Sequence, residues 1–555
     1  MKQMKSDVPA LGGIADAVLL NGNIYTGDSR RPRVEAVAIR GESIIVVGTS
    51  AELQSRMGPK TAVINLKGQF AMPGFNDAHV HLAQAGFAKL AVDLDGVKSI
   101  AEFQERIRAR LREYKRGEWI TGRGWDQTLW PDKQFPTRND LDAVSKDDPM
   151  FFARLDGHVA VANTAALAMA EIAKQTPDPP GGHIGRDPAT GEPTGLLGED
   201  AAMNLVYRRI PAPRMAQRRR AIEGALADVA RHGVTSLQDN SVLAITEDAN
   251  ARWENFLVYA ELRQEGKLTA RITEWLDFTL PLEKLEELRQ EGGATDPWLK
   301  TGALKAYLDG SLGSRTAALL APYADEPSTS GILRVDPEDL KRMAIERDRA
   351  GFQLAFHAIG DRANRVALDA FAAVRAANGS RDRRDRVEHA QVVAPQDFPR
   401  FAPLGVIASM QPCHLLDDER WAAARLGPQR SKGAYAWKTF EKDGVKLAFG
   451  TDYPIESVNP LRSLYACVTR ELPEGGPTGG WEPQERLSME NCIRDYTVGS
   501  AFAEFEEKRK GILAPGMLAD IVVLPQDITT VAPRELLEMQ VTMTIVGGRV
   551  VYQKK

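Results

Sequence analysis

The sequence predicts an α/β protein: a distorted TIM-type (β/α)8 barrel, a small β-sandwich built from both chain termini, and a large insertion after the first barrel strand. Three observations point there. Eight short apolar runs are mostly separated by helical stretches, the pattern of parallel strands with crossover helices. The residues able to carry chemistry fall at the C-terminal ends of those runs, where such barrels place their sites. Both ends of the chain carry turn-separated strand groups that cannot bury themselves alone.

Taken in order, residues 15–64 read as short strands: the runs starting at Ala17, Val34 and Ser43, with Asn21-Gly22 and Arg40-Gly41-Glu42 as hairpin turns. Their expected partners lie at the far end, in the apolar runs 518–524 and 541–552. Residues 1–72 and 506–555 are therefore assigned to one sandwich, and 73–505 to the barrel. The barrel opens on the stretch 71–82, read as one buried strand. It carries His79 and His81 on the same face, about 7 Å apart at ~3.3 Å per residue. Seven further strands are read at 233–238, 271–276, 299–307, 352–357, 386–389, 406–411 and 446–450. Between His81 and Gly233 lie about 150 residues, far beyond a βα loop of ~2–6 residues. The segment 83–215 is therefore read as an inserted subdomain, expected to act as a lid or pocket wall.

The 555 residues exceed one ordinary core. A net charge of −4 with no basic stripe argues against nucleic acid. No apolar run approaches the ~20 residues of a membrane helix. Residues 1–13 lack the apolar core of an intact signal peptide; a leader removed before Met1 would leave no trace here. Cys413, Cys467 and Cys492 are far apart, form no disulfide framework or Cys-x-x-Cys pair, and fit a reducing compartment. A cytoplasmic enzyme acting on a small-molecule substrate is expected, with a homodimer as one assembly the sequence allows.

The chain has 8 histidines. Four of them, His79, His81, His357 and His389, fall at the ends of barrel strands one, five and six. Asp452 ends strand eight and Lys305 lies at the end of strand four. Each has a bland alternative: a packed core histidine, a helix cap, a solvated lysine. Neutral imidazoles and carboxylates converging on one barrel mouth point instead to a metal site.

The chain resembles the YtcJ-like branch of the metal-dependent amidohydrolase superfamily, amidohydrolase family three, nearly from end to end. The resemblance is carried by Pro-Gly-Phe-Asn-Asp-Ala-His-Val-His at 73–81, Gly-Trp-Asp at 124–126 and Asp-Gly-His-Val-Ala-Val-Ala-Asn at 156–163. It continues through Lys-Ala-Tyr-Leu-Asp-Gly-Ser-Leu-Gly-Ser-Arg-Thr-Ala at 305–317, His-Ala-Ile-Gly-Asp at 357–361, Glu-His-Ala at 388–390 and Gln-Pro at 411–412. It ends with Gly-Thr-Asp at 450–452 and Gly-Ile-Leu-Ala-Pro-Gly-Met-Leu-Ala-Asp at 511–520. It implies that His79, His81, His357, His389 and Asp452 surround one or two divalent ions, usually Zn2+. Lys305 would stand where some members carry a carboxylated lysine that bridges two metals. The implied reaction is attack of a metal-activated water on a carbonyl, with Asp452 as catalytic base carrying the proton to the leaving nitrogen. Trp125, Asp126, His158, Arg315 and His414 are candidates for substrate binding. The expected activity is hydrolysis of a non-peptide C–N bond in an amide, N-formyl or N-acyl amine. The branch includes enzymes that deformylate N-substituted formamides. Deamination, opening of a cyclic amide or lactone, and a non-catalytic ligand-binding or regulatory role are the alternatives.

Overall fold

The computed structural model describes residues 13–555 apart from 115, 155–158, 241–248 and 294. The chain divides into two compact units, Met1–Leu82 with Ala225–Lys555, and Ala83–Gly224.

The first unit contains an eight-stranded parallel sheet. In chain order its strands are Phe75–Val80, Val234–Asp239, Arg271–Asp277, Leu299–Tyr307, Leu354–Ala358, Arg386–His389, Ile407–Met410 and Leu447–Phe449, and each pairs with the next. The ring closes just past strand eight. Val80 bridges Tyr453, His81 N–H donates to the Tyr453 carbonyl and Asp452 N–H to the His79 carbonyl, both at 2.7 Å. The strands are buried on both faces, as expected when helices cover a parallel sheet; strand five, Leu-Ala-Phe-His-Ala, is buried throughout. The helix after it, Asp361–Asn378, turns Ala363, Ala367, Leu368, Ala370, Phe371 and Val374 inward at helical spacing. Phe371 stacks on Phe356 of the strand, ring centroids 4.9 Å apart. Truncating such a buried ring costs about 3–5 kcal/mol.

Strands from both termini share one six-stranded sheet. Its order is Arg549–Gln553, Met543–Val546, Ile521–Leu524, Phe70–Pro73, Asn23–Tyr25, Arg33–Val34. A four-stranded sheet, Ser43–Gly48, Ala36–Arg40, Ala17–Leu20 and Ala62–Asn65, accompanies it. Leu19, Val37, Ile39, Ile521, Val523 and Ile545 belong to one core cluster drawn from both sheets. Two readings of this region are corrected. Gly41-Glu42 does turn a hairpin, since Arg40 pairs with Ser43. Asn21-Gly22 does not: Ala17–Leu20 pairs with Ala36–Arg40 and Ala62–Asn65, while Asn23–Tyr25 lies in the other sheet. Asn21, at φ 54°, moves the chain between sheets. The stretch 71–82 is also two strands. Phe70–Pro73 pairs with Ile521–Leu524, and the barrel strand begins at Phe75 after the switch at Gly74. Only glycine fits there, because a Cβ would lie 2.2 Å from the Thr235 side chain.

The second unit is built on a six-stranded sheet, ordered His183–Arg186, Pro193–Gly198, Val159–Ala162, Met150–Arg154, Ile120–Trp125, Val92–Asp93. Helix Ile100–Leu111 buries Phe103 and Ile107 in the same core cluster as Trp125, Trp130 and Phe152.

The cysteine reading is corrected as well. Cys467 and Cys492 are 25 residues apart in sequence and form a disulfide, because helices Pro460–Thr469 and Met489–Arg494 bring them together. Sequence distance says nothing about distance in the fold. Only Cys413 is free, and it is buried, so the cysteines lend no support to a reducing compartment. Among the described residues no helix is long and apolar enough to cross a membrane.

Candidate metal centre

The centre sits in the first unit, at the C-terminal ends of the barrel strands. His79 is on strand one, and His81 follows it directly. Asp452 follows strand eight, and the hydrogen bonds that close the barrel bring it to them. The His81 Nε2 atom lies 2.9 Å from Asp452 Oδ1 and His79 Nε2 lies 3.6 Å from the same oxygen. His389 ends strand six, its ring 5.1 Å from that of His79. His357, on strand five, lies 4.5 Å from His389, ring to ring. His414, the first residue of helix His414–Ser431, stacks nearly parallel to His389 at 5.8 Å. Five of the chain's eight histidines thus form one contiguous group.

Three of the rings are turned by an acceptor behind them. His79 Nδ1–H donates to Glu388 Oε2 at 2.6 Å, His81 Nδ1–H to the Asn240 carbonyl at 2.5 Å, and His389 Nδ1–H to Gln411 Oε1 at 2.8 Å. These bonds leave Nε2 of all three as a lone pair facing the cluster. His357 is turned the other way. Its Nε2–H donates to the Gly310 carbonyl at 3.1 Å, and its buried Nδ1 has no partner among the described residues. Behind His79, Arg386 grips Glu388 through its Nε at 2.7 Å, donates to the Ala78 carbonyl and Ser409, and lies over Trp275.

Burial, first, pushes the His79 and His389 imidazoles well below their usual value, which favours the neutral ring a metal ligand needs. Burial likewise pushes the Lys305 amine down to about 8; its Nζ lies 3.3 Å from His79 Nε2 and 4.5 Å from the Tyr307 ring centre. Burial would raise the Asp452 carboxyl, yet the imidazoles gathered around it, His81 first and then His389 and His414, hold it well below the usual carboxylate range.

The donor set fits a divalent ion. His79, His81 and Asp452 offer three ligand atoms within 4.8 Å of one another. Two donors of a tetrahedral zinc, each about 2.0–2.2 Å from the ion, stand about 3.4 Å apart. The observed 2.9 and 3.6 Å bracket that spacing.

A cavity of about 510 Å³ opens over the cluster, lined among others by the Gly310–Ser314 loop, Arg334, Asp417, Asp418, Trp421 and Glu456. The buried carboxylate of Asp309, at the start of that loop, accepts from the amides of Ala318, Ile359 and Gly360 at 2.8–3.0 Å.

The expected ligands His79, His81, His357, His389, Asp452 and Lys305 are therefore brought together, and His414 joins them. The substrate-binding candidates divide. Arg315 is engaged elsewhere: its guanidinium pairs with Asp325 at 2.9 Å, while Arg334 lines the cavity. Trp125 is fully buried in the core of the second unit, its indole N–H donating to the Phe152 carbonyl at 2.9 Å. Asp126 caps a short 3-10 turn and pairs with Arg154 at 2.7 Å. His158 lies outside the described residues. Sequence reasoning passed over Asp77, Asn240, Asp309 and Glu388 as parts of the site. Only Glu388 carried a local signal, as the neighbour of His389.

A parallel barrel with imidazoles and a carboxylate converging at the C-terminal ends of its strands defines a hydrolase-type metal-site scaffold. The sequence profile of the Amidohydrolase family matches residues 62–552, and the chain belongs to that family. It is 37% identical over 99% of its length to Protein LONG AFTER FAR-RED 3 of Arabidopsis thaliana, covering 94% of that protein. It is 34% identical over 97% to the putative amidohydrolase YtcJ of Bacillus subtilis, covering 99% of it. To the N-substituted formamide deformylase of Arthrobacter pascens it is 28% identical over 97%, covering 98% of it. The crystal structure of an uncharacterized metal-dependent hydrolase from Pyrococcus furiosus superposes with a TM-score of 0.75 at 32% identity, covering 93% of this chain and all of that one.

Proposed function

We propose that the protein is a metal-dependent hydrolase that cleaves a non-peptide C–N bond in an amide, N-formyl or N-acyl amine. The observation that carries this is the convergence of His79, His81 and Asp452 at the floor of the cavity, with both imidazoles pinned from behind so that their Nε2 atoms face inward. The named activity of the deformylase relative supports the choice of bond.

A divalent ion bound there supplies a Lewis acid and lowers the pKa of a water toward about 7. The residues do the rest. Asp452, ionised over the working pH range, takes a proton from the water that attacks the carbonyl and passes it to the nitrogen as the C–N bond breaks. Trp421, Ile359 and Leu312 give the cavity an apolar lining, which holds the non-reacting part of the substrate and displaces water. Zinc is the ion the His/Asp donor set suits best.

The test is metal analysis of the purified protein together with a panel of N-formyl amines, N-acyl amines, cyclic amides and lactones. The expected result is bound zinc, hydrolysis of the acyclic amides, loss of turnover after chelation and recovery on adding zinc. Turnover of lactones or cyclic amides with none of acyclic amides would overturn the bond assignment. Turnover unaffected by complete metal removal would overturn the metal-dependent reading.

A further inference from the structure

We infer that the second unit carries a ligand site of its own: a cavity between helix Leu82–Leu90 and the start of helix Met215–Arg231 that takes a small carboxylate with an apolar body. This goes beyond the proposed function and does not rest on it.

The cavity holds about 260 Å³, close to the lower end of the ~300–1,000 Å³ typical of ligand pockets. That is room for one ring or a short chain, and every lining residue belongs to the second unit. Its walls follow from the sequence. Gly86 lets the two helices approach, since a Cβ there would lie 2.1 Å from the Ala221 carbonyl oxygen. That places Phe87 and Leu90 beside the first turns of the second helix, with the Arg218 guanidinium 5.7 Å from the Phe87 ring centre. The Leu90 carbonyl accepts from Arg110 Nε at 3.1 Å and from the Tyr114 hydroxyl at 2.6 Å, which fixes the end of that wall. Alternation along the chain sends Ile120 into one core cluster and Trp119 to the opposite face. Pro211 and Pro213, with fixed φ and no N–H, add a stiff apolar edge.

The charged and buried polar groups free on this lining are donors. Trp119 is 9% exposed, and its indole Nε1–H is buried with no acceptor among the described residues. A buried donor is costly to leave unpaired, so this one calls for an acceptor in the cavity that its ring lines. Arg214 and Arg220 also line the cavity, and neither guanidinium has an ion pair or hydrogen bond among the described residues. Gln217 Oε1, an acceptor, already receives the Arg214 amide at 2.9 Å. Glu118, the single carboxylate of the lining, is not free. The N-terminal end of the 17-residue helix Met215–Arg231 adds positive partial charge. Donors and positive charge select an anion, and a carboxylate matches planar guanidinium donors. The apolar lining selects the body that carries it.

The experiment is calorimetric titration of the metal-loaded protein with phenylacetate and hexanoate, and with phenylacetamide, acetate and inorganic phosphate as controls. The variants are Arg214→Gln, Arg220→Gln, the two together, and Trp119→Phe, each checked for folding by circular dichroism. Both arginines are exposed, so their variants test the site whether or not the indole variant folds. Phenylacetate and hexanoate should bind with Kd below about 1 mM, and the controls at least about tenfold more weakly. Each single arginine variant should weaken the two carboxylates about tenfold, the size of one lost hydrogen bond to a charged group, and Trp119→Phe about threefold.

No binding of either carboxylate up to about 10 mM overturns the inference. Phenylacetamide binding as tightly as phenylacetate overturns it, and so does acetate or phosphate binding as tightly as hexanoate. Binding unchanged in the double arginine variant overturns it as well; if chelation then removes that binding, it belongs to the metal centre.

Discussion

Asp77 and Thr451 lie 374 residues apart in sequence, yet the Asp77 carboxylate accepts both the Thr451 hydroxyl, at 2.6 Å, and the Thr451 amide, at 2.9 Å. It also accepts the His79 amide at 3.2 Å. One buried side chain thus locks the strand that carries His79 to the turn that carries Asp452. The candidate ligands for one ion come from both ends of the barrel sheet, and Asp77 is one of the places where those ends are joined.

Asp77→Ala is expected to leave three buried donors unpaired. Each costs about 1–3 kcal/mol, so the barrel closure should weaken by several kcal/mol, and His79 and Asp452 should lose their spacing. Thermal unfolding and zinc affinity, measured together, should both fall. Asp77→Asn keeps one acceptor oxygen and should fall between. A wild-type zinc affinity in a folded Asp77→Ala protein would mean that the closure does not position the ligands.

The acid limb of stability should depend on the opposite end of the barrel. There Glu504 accepts from Asn76 at 2.7 Å and Thr273 at 2.6 Å and pairs with Lys510 at 2.7 Å. Burial would raise this carboxyl, but the charges of Lys510 and Lys300 and these hydrogen bonds bring it from 4.5 down to about 2. A group whose pKa is lower in the folded state binds its proton more readily when unfolded. Its stabilisation is therefore complete above about pH 4.5 and is lost as pH falls toward about 2. Lys510 is also lowered, by burial, but from 10.5, far above this window. Denaturant unfolding from pH 2 to 6 should show stability falling through that range. In Glu504→Gln the fall should be shallower and the neutral-pH stability lower. An identical slope in the variant would remove Glu504 as its source.

Much of the fold was legible because its signals are local. Parallel strands buried on both faces write themselves as apolar runs, and the period of two put His79 and His81 side by side. Asp452 stood out because a turn follows strand eight. What was hidden depends on partners far away in sequence. Asp77 looks like any acid in a strand until Thr451 is beside it. Nothing near Gly74 says that the chain leaves one sheet and enters another. Trp125 reads equally well as a pocket wall or a core ring, and only its burial among Trp130 and Phe152 decides. His414 sits on a helix, where no strand periodicity places it at the centre.

The disulfide makes a prediction by counting. Under denaturing, non-reducing conditions a thiol reagent should titrate one group per chain, Cys413, and three after reduction. Replacing Cys467 and Cys492 by serine together should cost about 3 kcal/mol for a loop of this size, read as a lower unfolding midpoint. Three thiols without reduction, in protein purified under air, would show that the pair is not formed.

Asp452→Asn offers a separation of folding, metal binding and chemistry at one residue. Asp452 adopts a left-handed backbone, φ 59°, which most residues resist but aspartate and asparagine both tolerate. The substitution also keeps the side chain's size and one oxygen, so the turn should form and the protein should fold with an unfolding midpoint close to wild type. What it removes is the charge that faces the histidines and the group that can accept a proton. Metal should be partly retained, since His79 and His81 still present pinned nitrogens. The chemical step should slow by at least about 10²-fold, the lower range for a lost general base. Metal content and kcat measured on the same preparation distinguish the outcomes. A slow variant that recovers when excess zinc is supplied would make Asp452 chiefly a ligand. A slow variant with full metal makes it the base. Near-normal kcat with metal bound would assign the proton transfer to another group on the cavity, with His414 the nearest candidate.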